Sequence, residues 1–123
     1  MRWLLAPILW VLLVCPANTQ QSYTYVAYCQ ITSLATAVKI TTANCSTLFT
    51  ASGATTVPSG AKYAEICVTG APIRYTSDVT NAPTAVIGEP VAAASCFAYS
   101  GPIYALQLIQ QSATATVDIE LFQ

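Results

Sequence analysis

Residues 61–122 read AKYAEICVTGAPIRYTSDVTNAPTAVIGEPVAAASCFAYSGPIYALQLIQQSATATVDIELF, and the fold is decided there. Short runs alternate between apolar and polar residues, and Gly, Pro, Asn or Asp interrupts them at almost every change of direction. From Lys62 to Thr69 the alternation sets Ala64, Ile66 and Val68 on one face. After the break at Gly70-Ala71-Pro72, Ile73-Arg74-Tyr75 resumes the extended pattern, and Thr76 to Pro83 carries the composition of a hairpin connection. Further strands are expected over Thr84 to Ile87, Ser95 to Tyr99 and Tyr104 to Ile109, with breaks at Gly88-Glu89-Pro90 and Ser100-Gly101-Pro102. The last run, Ala113 to Phe122, alternates most clearly. Ala113, Ala115, Val117, Ile119 and Leu121 face one way, and Thr114, Thr116, Asp118 and Glu120 face the other.

Working outward toward the N-terminus, Tyr23 to Ile31 repeats the period of two. It places Tyr23, Tyr25, Ala27, Cys29 and Ile31 opposite Thr24, Val26, Tyr28 and Gln30. Weaker strand signals cover Ala35 to Thr41 and Ser46 to Thr50, and Ala51 to Gly60 reads as a loop. Short strands with turn signals every eight to twelve residues indicate an all-β, antiparallel, jelly-roll-like sandwich occupying residues 22–123. Thr, Val, Ile and Tyr dominate this part, and all of them favour strands over helices.

The first residues differ in kind. Met1-Arg2 precedes an apolar run from Trp3 to Val14, the charged start and short hydrophobic middle of a secretory signal peptide. Ala17 supplies a small residue for cleavage, giving a signal over residues 1–17, with cleavage after Thr19 as the alternative. The apolar run is short for a bilayer span of about 20 residues, which argues against an uncleaved anchor, and any membrane contact is expected through this segment alone. Cys15 would be the acylated residue of a lipoprotein, but Val14 stands where that motif requires a small side chain.

Loss of the leader leaves Cys29, Cys45, Cys67 and Cys96, an even number in a small exported domain, and so two disulfides. Of the three connectivities, Cys29 with Cys45 and Cys67 with Cys96 need the least chain return and are favoured. The chain has no His and no CxxC pair, which argues against a zinc site, and no metal or other cofactor is expected. In a reducing compartment the same cysteines would be buried free thiols.

Charge narrows the function. Only 7% of residues are charged, and the mature chain carries Lys39, Lys62 and Arg74 against Glu65, Asp78, Glu89, Asp118 and Glu120. Three scattered cations cannot neutralise a run of phosphates, so nucleic-acid binding is not expected. Without His, Ser–His or Cys–His nucleophilic catalysis has no base. Asp118 and Glu120 lie about 7 Å apart on one strand face, a spacing that suits paired carboxylates but also any solvated strand. Asp78 with Asn81 offers a single carboxylate to calcium. Arg74, inside an apolar strand, is expected to pair with Asp78 or stack on a tyrosine. Tyr25, Tyr63, Tyr75, Tyr99 and Tyr104 are expected as half-buried cross-strand packing, the alternative being a sugar-stacking platform. Asn44-Cys45-Ser46 meets the N-glycosylation pattern.

Ile73-Arg74-Tyr75, Asp78, Ala82-Pro83-Thr84-Ala85, Gly88, Pro90-Val91, the Ala92 to Ala94 run, Ser100-Gly101 and the closing Ala113 to Leu121 strand together form a further pattern. It resembles that of small tailed-phage and prophage structural proteins, over residues 61–122. Val79 or Thr80 stands where those proteins place Gly after Asp. The resemblance implies a β-sandwich used in virion assembly, decoration or attachment, oligomeric or bound to other structural proteins, and it brings no catalytic residues. Two readings follow: a non-enzymatic structural domain acting by self-association, in a virion or as an exported relative, and a secreted, disulfide-stabilised binding module with carbohydrate as ligand. A row of solvent-exposed tyrosines beside Gln or Asn would favour the second.

Overall fold

The computed structural model describes residues 22–123; the expected signal segment and Cys15 lie outside them. Nine strands form two antiparallel sheets: β1 Tyr25–Ile31, β2 Val38–Lys39, β3 Thr47–Thr50, β4 Tyr63–Thr69, β5 Ile73–Thr76, β6 Glu89–Val91, β7 Ser95–Tyr99, β8 Gln107–Gln110 and β9 Thr116–Phe122. One sheet has the order β3-β1-β9-β4-β7 and the other β2-β8-β5-β6. The pairs β1–β9, β2–β8, β4–β7 and β5–β6 are nested like one long hairpin. Rolling that hairpin so that β9 meets β4 and β8 meets β5 gives a jelly roll, with β3 added at the edge beside β1. Among the described residues no helix is long and apolar enough to cross a membrane.

Alternation in the sequence becomes layering in space. Ala64, Ile66 and Val68 of β4 and Val117, Ile119 and Leu121 of β9 are at most 1% exposed, and they meet Ile73 and Leu108 of the smaller sheet in the core. Tyr75 and Phe97 stack across the two layers with ring centroids 4.8 Å apart. Residues near the two ends of the described chain are neighbours. The Thr24 amide donates to the Gln123 carbonyl (2.9 Å) and the Gln123 amide returns the bond to Thr24 (3.0 Å). Gly70 makes the turn from β4 to β5 at φ +82, where an added Cβ would lie 2.7 Å from the Thr114 carbonyl oxygen.

Several boundaries differ from the sequence reading. The strand expected at Thr84 to Ile87 is a turn, and the pairing falls instead on Glu89–Val91. Thr84 caps that turn, its hydroxyl accepting from the Ile87 amide (3.0 Å), and Gly88 at φ +117 redirects the chain into β6. Pro90, which reads as a breaker, is tolerated because β6 is a three-residue edge strand. Tyr104 does not begin a strand. It sits in the short 3-10 turn Ile103–Ala105, which buries Ile103 and Ala105 and leaves Tyr104 72% exposed. Between Ala35 and Thr41 only Val38–Lys39 pairs, and Ala113 is exposed ahead of β9.

Candidate functional site

The register of the five-stranded sheet converts its outer face into a grid. One row across the strands is Tyr25 on β1, Phe122 on β9 and Tyr63 on β4. The next is Phe49, Tyr28, Glu120, Glu65 and Ala98, running from β3 to β7. The third is Thr47, Gln30, Asp118, Cys67 and Cys96. Neighbours within a row are separated by the strand spacing of roughly 4.8 Å, and the rows by about 7 Å along the strands.

Tyr25 reaches this face through an irregularity. By simple alternation it belongs with Ala27, Cys29 and Ile31, all of which point into the core. The pairing with β9 shifts between Tyr25 and Ala27, so that Val26 is the extra residue of a bulge. Val26 is buried, and Tyr25, opposite Phe122, is 39% exposed. The expectation that Tyr25 shares a face with Ala27 is therefore corrected, and the cause is one inserted residue.

An aromatic band results. Tyr25 meets Phe122 edge-on at 6.0 Å, Phe122 meets Tyr63 at 5.5 Å, and Tyr63 stacks on Tyr23 at 4.8 Å with ring planes 18° apart. In the next row Tyr28 and Phe49 lie 6.4 Å apart, Phe49 being 64% exposed. Of the tyrosines expected to be half-buried, Tyr63 and Tyr75 are so, Tyr99 is buried, and Tyr25 and Tyr104 are exposed. A hollow of about 370 Å³ opens beside Tyr25, lined also by Thr24, Val26, Ala51, Ser52, Pro58 and Gln123.

Beside the band lies a hydrogen-bonded polar set. The Tyr28 hydroxyl and the Gln30 amide nitrogen (2.7 Å) both donate to Asp118 Oδ1. The bond to the Asp118 carboxylate, followed by burial, pushes the Tyr28 phenol up to about 12. Asp118 and Glu120 do share one face of β9, as their spacing suggested, but Asp118 is held by Tyr28 and Gln30. The residue directly opposite Glu120 on β4 is another carboxylate, Glu65. No outward position of the five strands carries Lys or Arg; Lys62 lies one residue before β4.

The remaining candidates organise the scaffold. Cys29 is bonded to Cys45 and Cys67 to Cys96, the favoured pairing, consistent with an oxidising, extracytoplasmic setting. Cys29 is fully buried, whereas Cys67–Cys96 joins β4 to β7 on the outer face. Sγ atoms of that disulfide lie near Glu65, but oxidised sulfur is not the thiolate a metal takes. Arg74 neither pairs with Asp78 nor stacks on a ring; it donates to the carbonyls of Ala85 (3.2 Å) and Gly88 (2.6 Å) and fastens the loop before β6. Asp78 accepts the Thr80 amide (2.8 Å), the Thr80 hydroxyl (2.6 Å) and the Asn81 side-chain amide, bonds that hold its carboxyl well below the usual range. Both oxygens thus serve the turn. In the Asn44 glycosylation pattern, the side-chain amide already donates to the Lys39 carbonyl at 2.9 Å.

Comparison of the chain with protein-family models, with curated proteins and with solved structures returned no match.

Proposed function

We propose that the mature chain is a non-enzymatic, exported binding module that takes carbohydrate on the outer face of its five-stranded sheet. The observation that carries this reading is the bulge at Val26. It brings Tyr25 out of the core-facing register and into line with Phe122 and Tyr63, beside the Gln30–Tyr28–Asp118 set. Bulges re-aim side chains next to functional sites, and the contiguous row of exposed Tyr25 with half-buried Phe122 and Tyr63 is the kind of apolar patch that marks a binding surface. Aromatic rings offer flat apolar surface to the apolar face of a pyranose, and the neighbouring amide and carboxylates can bond its hydroxyls. Two disulfides suit a small domain working outside the cytoplasm.

Depletion of the mature protein from solution by a panel of insoluble polysaccharides tests this. Retention on at least one polymer, with Tyr25→Ala weakening it about fivefold or more, is the expected result. A natively folded protein retained by none of them would overturn the proposal.

A second reading, assembly as a structural component of a virion, has its own observation. The connection between β5 and β6 exposes Val79 (51%), Val86 (77%) and Ile87 (63%), aliphatic surface that a neighbouring subunit could cover. Sedimentation velocity decides it, since a defined oligomer lost on Val86→Ser with Ile87→Ser would favour assembly over ligand capture. The jelly roll itself serves viral capsids and lectins alike and does not choose between them.

A further inference from the structure

We infer that the ligand of this face is cationic, a polysaccharide of amino sugars with free amines. The inference rests on the carbohydrate-binding reading above and adds the ligand's charge. Its basis is the middle row of the grid, where Glu120 and Glu65 are direct cross-strand partners and both are exposed. Like charges in directly opposed positions destabilise a sheet, and a lysine at either position or beside them would relieve the cost. None is present at the outward positions. Asp118 adds a third carboxylate one row away.

The same row places two aromatic rings, Phe49 and Tyr28, in line with those carboxylates, and the Tyr25–Phe122–Tyr63 row flanks it. Rings beside uncompensated carboxylates suit a ligand that presents apolar faces and ammonium groups together, through stacking, cation–π attraction and ion pairing. A glucosamine chain does this at each residue, and the strand spacing of roughly 4.8 Å is comparable with the length of one pyranose. Uronic-acid, sulfated and phosphorylated polymers would be repelled by the same face. A basic peptide shares the charge but offers no ring faces for Tyr25, Phe122 and Tyr63 to stack on.

The experiment is isothermal titration calorimetry of the full mature chain, both disulfides intact, at mildly acidic pH. The probes are the hexamers of glucosamine and N-acetylglucosamine, a neutral glucose hexamer and hexalysine. The expected result is tightest binding to glucosamine hexamer. Raising salt to about 0.15 M should weaken it, as should the pair Glu65→Gln and Glu120→Gln, the latter about tenfold, a few-fold for each exposed ion pair lost. These substitutions relieve repulsion, so native circular dichroism is expected, and the salt series needs no variant. Equal binding of glucosamine and N-acetylglucosamine hexamers, insensitive to salt, would overturn the charge inference and leave the carbohydrate module standing. Binding of hexalysine in preference to every sugar would overturn the amino-sugar assignment, and silence toward all four probes, together with no retention on polysaccharides, would remove both proposals.

Discussion

Removing each disulfide in turn separates two contributions to stability that loop length alone would confuse. Cys29–Cys45 closes a span of 16 residues and Cys67–Cys96 one of 29. Chain entropy alone assigns about 3 kcal/mol to the first and about 3.5 kcal/mol to the second, so the longer loop should matter more. Burial reverses that order. Cys29 is 0% exposed within the core and Cys45 packs against it, whereas Cys67 is half-buried and Cys96 exposed on the outer face. Replacing the buried pair by alanine adds a cavity penalty of about 1–2 kcal/mol, small beside a Leu→Ala change but absent at the surface. The β4–β7 contact keeps its five-residue register without its crosslink. The pair Cys29→Ala and Cys45→Ala should therefore cost about 4–5 kcal/mol, and Cys67→Ala with Cys96→Ala about 3.5 kcal/mol or less. Urea unfolding followed by far-ultraviolet circular dichroism measures both. Trp3 and Trp10 precede the described domain, which leaves no tryptophan to follow in it. A larger loss from the Cys67–Cys96 pair would refute the burial argument.

Three further outcomes are expected. Ile119→Ala, at a fully buried position of β9 between β1 and β4, should lose about 2–5 kcal/mol in the same urea assay, because the surrounding strands cannot collapse onto the void. Ala94 holds φ 56 in the turn before β7, so Ala94→Gly should stabilise by about 0.5–1 kcal/mol, read as a melting-temperature rise of a few degrees. The Tyr28 phenol is raised to about 12, above its ordinary value of 10.0, so its contribution is complete below pH 10 and is lost as pH rises toward 12. Tyr28→Phe should remove that alkaline loss and delete one late-titrating phenol from an ultraviolet pH titration.

What the sequence discloses and what it hides follow from the range of each signal. Alternation is local, and it places Ala64, Ile66, Val68, Val117, Ile119 and Leu121 in the core without any knowledge of partners. The four cysteines of the strand-rich part lead to both disulfides for a similar reason, since pairing each with its neighbour in the sequence closes the shortest spans. The bulge is invisible to a period of two, because one extra residue breaks parity only relative to β9, which lies some 90 residues away. The opposition of Glu65 and Glu120 is hidden in the same way, since β4 and β9 become neighbours only when the long hairpin rolls. Pro90 misleads because a proline signal cannot distinguish a loop from a short edge strand. Arg74 misleads because its partners are backbone carbonyls of a loop that folds back eleven and fourteen residues later.

The reciprocal bonds between Thr24 and Gln123 have a mechanical consequence. β1 starts and β9 finishes at the same end of the sheet, side by side, so tension applied through Thr24 and Gln123 opens this pair as a zipper, one hydrogen bond at a time. The first step of such peeling separates Tyr25 from Phe122 and takes the aromatic row apart while most of the core is still closed. Peeling then meets Cys29, where the crosslink to Cys45 carries the load and the span between them cannot lengthen. A module pulled by both ends would therefore lose this aromatic row under modest force long before it unfolded, whereas one tethered by a single end would keep it.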